Sequence, residues 1–81
     1  MKVHYTSRFL NDLESVPSHV ARAFYKQVRL FVSDLRHPSL HAKKYDETSG
    51  LWQARVTKGW RFYFTISGNT YILVDIEKHR D

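Results

Sequence analysis

Residues 51–66 read Leu-Trp-Gln-Ala-Arg-Val-Thr-Lys-Gly-Trp-Arg-Phe-Tyr-Phe-Thr-Ile, with apolar side chains at every second position on both sides of a Thr-Lys-Gly turn. Successive side chains of a β-strand point to opposite faces, so this period of two predicts two antiparallel strands with one apolar face. A three-residue loop that ends in glycine is a common connection between such strands. The predicted apolar face carries Trp52, Ala54, Val56, Trp60, Phe62, Phe64 and Ile66.

The same alternation extends downstream into a third strand. Residues 67–69, Ser-Gly-Asn, predict the next turn, and Ile72, Val74 and Ile76 continue the apolar set. The residues between them are then expected on the opposite face of the sheet. That outward set is Gln53, Arg55, Thr57, Arg61, Tyr63, Thr65, Tyr71, Leu73, Asp75, Glu77 and His79.

Upstream of the sheet the apolar residues follow a helical period. Val3 and Tyr5 predict a short first strand, Thr6 or Ser7 can cap the helix that follows, and Pro17 ends that helix. A second helix is predicted over residues 18–35, because apolar residues recur there at steps of three and four. Its apolar stripe consists of Val20, Phe24, Val28, Phe31, Val32 and Leu35.

The order of these elements predicts the fold class. A chain of 81 residues has room for one domain with a modest core, so residues 1–81 are expected to form a single domain. Residues 41–45 can form a brief edge strand between the helices and the meander. The expected architecture is α+β: an N-terminal strand, two helices, then an antiparallel β-meander with both helices packed on its apolar face.

The charge balance of the sequence points to an anionic partner. There are 13 Lys and Arg residues against 8 Asp and Glu, a net charge of +5, which nucleic acid or an acidic protein segment would match. Cysteine is absent, so no disulfide can form. The N-terminus has no signal-peptide pattern and no apolar run has membrane length. The expected location is the cytoplasm, with no membrane partner.

Two arginines are expected to be neighbours on the outward face. The predicted register of the first hairpin places Arg55 opposite Arg61, and like charges in that position destabilise a sheet by up to about 1 kcal/mol. A bound phosphate would relieve the repulsion. The alternative is an ordinary row of surface ion pairs, in which Asp75 or, after a register shift of two residues, Glu77 neutralises Arg61.

Other basic and aromatic side chains are expected around this pair. Cationic groups can hold RNA phosphates while exposed aromatic rings stack on unpaired bases, although each lysine considered singly is more simply solvated surface. The side chains expected to serve RNA binding are Lys43, Lys44, Lys58, Tyr63, Tyr71, Lys78 and Arg80.

The histidines differ in what they can do. His79 extends the outward face beside Arg61, and an imidazole with an ordinary pKa of about 6.5 suits proton transfer near neutrality. His37 and His41 are four residues apart, but Pro38 lies between them and a helical metal pair is not expected. The sequence predicts no metal site and no cofactor.

Two stretches carry a resemblance to a known family. Residues 51–64 together with residues 74–81, Val-Asp-Ile-Glu-Lys-His-Arg-Asp, resemble the RelE/ParE superfamily of toxins from type II toxin–antitoxin systems, and residues 37–45 look like the segment that leads into that family's sheet. The resemblance implies a RelE-like fold and a cognate antitoxin as partner. In the RNA-cleaving members it also implies a metal-independent endonuclease that enters the ribosome and cuts mRNA, with the ribose 2′-OH attacking the adjacent phosphate.

The resemblance also implies roles for individual residues. Arg61 matches the family's arginine on the strand after the turn, which is expected to stabilise charge on the scissile phosphate, and Arg55 matches a basic position on the preceding strand. Gln53 stands where some members carry another basic residue. His79 resembles a C-terminal histidine used for acid/base work. The candidate general bases are Glu77, Asp81 and His79 itself.

Two other functions remain open at this level. Some superfamily members inhibit gyrase and lack a catalytic constellation, so a nonenzymatic toxin is the main alternative. The third is an RNA-binding or partner-binding domain without toxicity. The presence of Arg61 and His79 on one face argues against that third reading.

Overall fold

The structure is a computed structural model that describes residues 1–79, in which five strands and two main helices follow one another. Arg80 and Asp81, named above as an RNA-binding residue and a candidate base, lie outside the described residues. The elements are β1 (Lys2–Tyr5), α1 (Ser7–Ser15), α2 (Ser18–Ser33), a short 3₁₀ helix (Pro38–Leu40), β2 (Lys43–Asp46), β3 (Leu51–Thr57), β4 (Trp60–Ser67) and β5 (Thr70–Lys78).

The strands form one sheet in the order β1-β5-β4-β3-β2. Strands β2 to β5 pair antiparallel in chain order, as the alternation predicts, and both helices pack on one face of the sheet. β1 adds at the far edge, parallel to β5, with Val3 beside Tyr71 and Tyr5 beside Leu73. The predicted α+β fold is confirmed, and the parallel edge strand is an addition to it.

Local sequence signals set the helix boundaries. The Thr6 hydroxyl caps α1 by accepting a hydrogen bond from the Phe9 amide at 3.1 Å, which satisfies one of the free N–H groups of the first turn. Pro17 separates the helices because it has no amide hydrogen to donate. Within residues 1–79, neither helix has both the length and the apolar character needed to cross a membrane.

The core lies between the helices and the sheet and is rich in phenylalanine. Phe24 of α2 meets Phe62 of β4 edge to face with ring centroids 5.5 Å apart, and Phe31 meets Phe64 at 4.6 Å. Tilted and edge-to-face ring pairs of this kind add about 0.5–1.5 kcal/mol beyond the area they bury. Most of the predicted core residues of β3 and β4 face the helices: Val56, Phe62 and Phe64 are buried, and Trp52 and Trp60 are half-buried against them. Ile66, predicted on the same face, is 39% exposed near the end of β4.

The first half of β5 faces the opposite way from the prediction. Ile72 and Val74 were expected in the core, yet the buried residues are Tyr71, which is 4% exposed, and Leu73. The cause is a bulge: Phe64 pairs with Leu73 but Tyr63 pairs with Asp75, so Val74 is an extra residue. A bulge of one residue changes the phase of the strand. The predicted alternation holds only after it, where Ile76 is buried.

A buried glutamine joins α2 to the sheet. Gln27 donates from Nε2 to the carbonyl oxygens of Ser39, at 3.1 Å, and of Arg55, at 2.9 Å, while its Oε1 accepts from the Ser39 hydroxyl at 3.3 Å. β2 pairs with β3 only from Leu51 to Gln53, so the Arg55 carbonyl lies beyond the last residue of that pairing. Gln27 therefore supplies a hydrogen-bond donor to a stretch of β3 that does not pair with β2.

Candidate nucleic-acid interface

The face of the sheet that the helices leave uncovered, called here the open face, carries the predicted arginine pair. Arg55 of β3 is the cross-strand partner of Arg61 of β4, and Gln53 is the partner of Tyr63, which confirms the predicted register. Both arginines line the same groove. The two guanidinium groups therefore share one region of the open face, next to the β3–β4 turn.

Arg61 is held by that turn. Its Nη1 donates to the carbonyl oxygens of Thr57 at 2.7 Å, Trp60 at 3.0 Å and Lys58 at 3.1 Å. The side chain is only 7% exposed, although it alternates along β4 with residues that face the core. These hydrogen bonds fix one end of the guanidinium, so Arg61 has a structural role in the turn as well as a position on the open face.

His79 completes a groove with the two arginines. The backbone N–H of His79 donates to the Gly59 carbonyl at 2.7 Å, which holds the end of β5 against the same turn. The groove has a volume of about 530 Å³, and its walls include Lys43, Gln53, Arg55, Arg61 and His79. The structure thus brings together three residues that the sequence nominated for chemistry.

The remaining predicted RNA-binding residues are spread more widely than expected. Lys58 is exposed in the β3–β4 turn next to the groove. Lys44 is paired with Trp52, and its ammonium lies over the Trp52 ring at 5.6 Å, on the helix side of the sheet. Lys78 pairs with Trp60, which also faces that side. The structure therefore separates Lys44 and Lys78 from the groove, because strand parity directs both away from the open face.

Only one of the two tyrosines predicted to stack on RNA bases, Tyr63 and Tyr71, lies on the open face. Tyr71 is buried and stacks on Phe31 with centroids 4.0 Å apart, so it cannot meet RNA bases on the open face. Tyr63 does lie on that face, and its ring meets Tyr45 of β2 at 5.3 Å. Burial, followed by the nearby Glu77, Tyr45 and Asp75, raises the pKa of Tyr63, while Arg61 lowers it. Tyr63 therefore stays protonated and neutral near pH ~7.

Carboxylates occupy the β5 side of the open face. Glu77 is the cross-strand partner of Arg61, which is the pairing expected after the register shift, and Asp75 is the partner of Tyr63. Burial, and then hydrogen bonding to Glu77, raises the pKa of Asp75. Arg8 of α1 approaches Asp75 at 3.4 Å and Asp12 at 3.9 Å. The open face thus has a basic side and an acidic side.

Three contributors to this region have little or no signal in the sequence. Tyr45 reaches the open face at a bulge between Lys44 and Asp46, in a strand whose four residues are all exposed. Gln27 looks like an ordinary polar residue of an amphipathic helix, and only its position one turn from buried Phe24 and Phe31 hints at burial. Arg8 belongs to α1, far from β5 in sequence, and nothing local predicts its contact with Asp75.

Several solved structures with a similar fold are toxins or toxin–antitoxin complexes. The chain superposes with a TM-score of 0.80 on a YoeB/ParE toxin from Agrobacterium tumefaciens at 17% identity, covering 99% of this chain and 100% of that one. It matches the archaeal RelE-RelB complex from Pyrococcus horikoshii OT3 with a TM-score of 0.78 at 15% identity, covering 95% and 92%. The toxin–antitoxin complex RelBE2 from Mycobacterium tuberculosis gives 0.75 at 22% identity, covering 99% and 92%. At these identities the likeness shows the fold.

The sequence itself places the chain in a family. No curated protein sequence matches it. A family model described as "ParE toxin of type II toxin-antitoxin system, parDE" matches residues 3–81, which is nearly the whole chain. With the shared fold and the whole-length match together, the chain belongs to the ParE toxin family of type II toxin–antitoxin systems, within the RelE/ParE superfamily.

Proposed function

We propose that the protein is a ribosome-dependent endoribonuclease that cuts messenger RNA and so stops translation. The observation that supports this is the meeting of Arg55, Arg61 and His79 in one groove of the open face. Two guanidinium groups can stabilise charge that develops on a phosphate, and an imidazole can transfer a proton near neutral pH. The net charge of +5 favours association with RNA.

The nucleophile of the proposed reaction belongs to the RNA. The ribose 2′-oxygen attacks the adjacent phosphorus, the bond from phosphorus to the next 5′-oxygen breaks, and the products carry a 2′,3′-cyclic phosphate and a 5′-hydroxyl. One proton leaves the 2′-hydroxyl and one reaches the departing 5′-oxygen. We assign the second transfer to His79. Glu77, the cross-strand neighbour of Arg61, is the candidate acceptor for the first.

Arg61 suits the task because part of its guanidinium is already immobilised. The carbonyl oxygens of Thr57, Lys58 and Trp60 accept hydrogen bonds from Nη1 and hold the planar group beside the groove. A preorganised donor needs no reorganisation when charge develops, and losing one typically costs about 10²- to 10³-fold in rate. The same hydrogen bonds mean that Arg61→Ala must be checked for folding by circular dichroism before its activity is interpreted.

The test of this function is primer extension on a defined message, with and without ribosomes. The proposal predicts cuts inside codons that require both the protein and the ribosome. Cuts of equal strength on naked RNA would retain the chemistry and remove the ribosome dependence. An intact message on translating ribosomes would refute the proposed function.

The proposed partners are mRNA, the ribosome and a cognate antitoxin, in the cytoplasm. Several solved relatives are toxin–antitoxin complexes, which supports the antitoxin. We expect a segment with acidic and apolar residues that masks the basic groove. A partner that binds only the folded toxin raises its Tm by mass action, which a thermal melt with the product of the neighbouring gene measures. Failure to form a complex in calorimetry would contradict this pairing.

A nonenzymatic toxin is the second candidate, and the ParE description of the matching family model favours it. In this function the basic groove would bind a protein or DNA surface and carry out no chemistry. A gyrase supercoiling assay separates the two. Inhibition of gyrase together with an intact message would select this function over RNA cleavage.

A further inference from the structure

A second hollow lies on the open face beside the basic groove. It has a volume of about 230 Å³, and Tyr45 lines both hollows. Four of its lining residues are apolar or aromatic, two are carboxylates and one is a cation. They are Arg8, Tyr45, Leu51, Tyr63, Val74, Asp75 and Glu77. A ligand that occupied both hollows would place one group beside the arginines of the groove and another group beside the tyrosines and carboxylates of this hollow.

The aromatic part of the hollow is open to solvent. Tyr45 is 60% exposed, and its ring meets Tyr63 at 5.3 Å with an angle of 69° between the ring planes. Leu51 and Val74, both half-buried, supply apolar surface next to the rings. Rings exposed in this way are the surfaces on which unpaired RNA bases stack, and each stacked base contributes about 1–3 kcal/mol.

Two β-bulges create this arrangement. The bulge in β2, between Lys44 and Asp46, brings Tyr45 next to Tyr63. The bulge in β5 makes Val74 an extra residue ahead of Asp75, so that both line the hollow. Bulges interrupt strand pairing and concentrate beside functional sites, where they redirect a side chain. Here one bulge lies on each side of the same hollow.

The carboxylates give the hollow a hydrogen-bonding preference. Carboxylate oxygens accept hydrogen bonds, so Asp75 favours ligand edges that donate. Burial contributes to the raised pKa of Asp75, and donors from a ligand would offset that penalty. Arg8, which also lines the hollow, lies 3.4 Å from Asp75 Oδ2 and limits the negative charge near the RNA.

We propose that this hollow binds an unpaired guanine of the RNA, stacked on the exposed ring of Tyr45 and bordered by Tyr63, with Asp75 accepting from its Watson–Crick edge, while a neighbouring phosphate lies on Arg55 and Arg61. The proposal rests on RNA being the substrate. Guanine presents two adjacent donors, N1–H and the exocyclic amino group, which a carboxylate accepts together. Uracil presents one N–H between two carbonyl oxygens, which a carboxylate repels. Adenine and cytosine each present one amino group beside an acceptor nitrogen.

The test is the affinity of the intact protein for short RNAs that cannot be cut. The probes are 2′-O-methyl tetranucleotides of uridine with guanosine, inosine or uridine at one position, titrated into ¹⁵N-labelled protein. The guanosine probe should bind about 10- to 100-fold more tightly than the all-uridine probe, as expected for a bidentate contact with a base. The inosine probe, which lacks the exocyclic amino group, should fall between them. The amides of Tyr45 and Tyr63 should shift.

Variants assign the preference to the proposed contacts. Asp75→Asn should abolish the guanosine preference, and Tyr63→Leu should weaken every probe. Glu47→Gln is the matched control, because Glu47 is an exposed carboxylate paired with Lys44 outside the hollow, and it should leave all affinities unchanged. Equal affinity for the guanosine and uridine probes, a preference that survives Asp75→Asn, or no binding at millimolar RNA would each overturn the proposal.

Failure of the guanine subsite can be distinguished from failure of the proposed nuclease function. The probes lack the nucleophile, so the guanosine preference is measurable whether or not the protein cuts mRNA. A guanosine preference without cleavage would keep the subsite and refute the nuclease. Cleavage of ribosome-bound message without a guanosine preference would keep the nuclease and refute the subsite.

Discussion

The buried Gln27 gives the sharpest prediction about stability. Replacing it with leucine, Gln27→Leu, preserves the apolar stem and removes the amide that joins α2 to the 3₁₀ helix and β3. Two carbonyl oxygens, those of Ser39 and Arg55, lose the same donor, and the Ser39 hydroxyl loses its acceptor. The site is 7% exposed, so water cannot readily replace these partners. Gln27→Leu should therefore destabilise the fold.

The magnitude follows from the number of lost partners. A buried polar group left unsatisfied costs about 1–3 kcal/mol, and each carbonyl oxygen keeps a second lone pair for other donors, so we take about 1–2 kcal/mol for each carbonyl. The variant should lose about 2–4 kcal/mol of unfolding free energy. At about 0.05–0.15 kcal/mol per residue, a chain of 81 residues has about 4–12 kcal/mol in total. At the central values, about 3 of about 8 kcal/mol, Gln27→Leu should remove roughly a third of the stability.

Urea unfolding followed by circular dichroism measures this loss. The matched control is Lys26→Leu, which introduces the same side chain at the neighbouring exposed position of α2 and should change stability by no more than about 0.5 kcal/mol. The Tm of Gln27→Leu should fall by at least about 8 °C. If Gln27→Leu matched wild type within the error of the control, the hydrogen bonds to Ser39 and Arg55 would have no energetic importance and this reasoning would be refuted.

Three further predictions concern pH, backbone and metal dependence. Burial raises the pKa of Asp75 above its ordinary value of 3.8 in the folded state, so wild type loses stability as the pH rises from 3.8 through the folded-state pKa. The Tm of Asp75→Asn minus the Tm of wild type should therefore be larger near neutral pH than at acid pH. An equal difference at both pH values would contradict the shift. An added Cβ would meet no atom within 4 Å at Gly68 or at Gly59, but only Gly68 has a positive φ, of +58°. Gly68→Ala should therefore cost about 1–2 kcal/mol in urea unfolding, and Gly59→Ala should cost less than half of that. Primer extension should show undiminished cleavage in 1,10-phenanthroline, which chelates transition metals and leaves the Mg²⁺ that ribosomes need, since the RNA supplies the nucleophile and Arg61 and His79 act without a metal. Loss of cleavage that added Zn²⁺ restores would argue otherwise.

The first hairpin could be predicted because its sequence allows one pairing. Apolar and polar residues alternate without interruption through β3 and β4, and a one-residue slip would bury every polar side chain. The resulting register makes Arg55 the partner of Arg61, as predicted. An irregularity between Arg55 and Thr57 then pairs Thr57, predicted in the turn, with Trp60. The helices could also be predicted from the sequence, because Thr6 gives a local signal for where the first helix begins and Pro17 for where the two helices are separated.

The phase of β5 could not be read from its own residues. Residues 71–74, Tyr-Ile-Leu-Val, are four bulky side chains in a row, so either alternate pair can fill a core. The choice depends on a tertiary contact, the stacking of Tyr71 on Phe31. The bulge at Val74 then restores the parity that the sequence predicts for Asp75 and Ile76.

The acidic half of the open face depends on similar long-range events. β2 has no apolar alternation, so nothing in it predicts that Lys44 turns to Trp52 while Tyr45 turns to Tyr63. The contact of Arg8 with Asp75 joins residues 67 positions apart. Such features depend on how elements pack, and local patterns do not encode them.

The most direct test of the proposed chemistry is the single-turnover rate of mRNA cleavage on ribosomes for wild type, Arg61→Ala and His79→Ala, with Arg22→Ala, an exposed arginine of α2, as control. Arg61→Ala should lose about 10²- to 10³-fold in rate. His79→Ala should lose about 10²- to 10⁴-fold, with an altered pH profile near neutrality, and Arg22→Ala should keep full activity. Full cleavage by folded Arg61→Ala and His79→Ala together would contradict the account, whatever the fold.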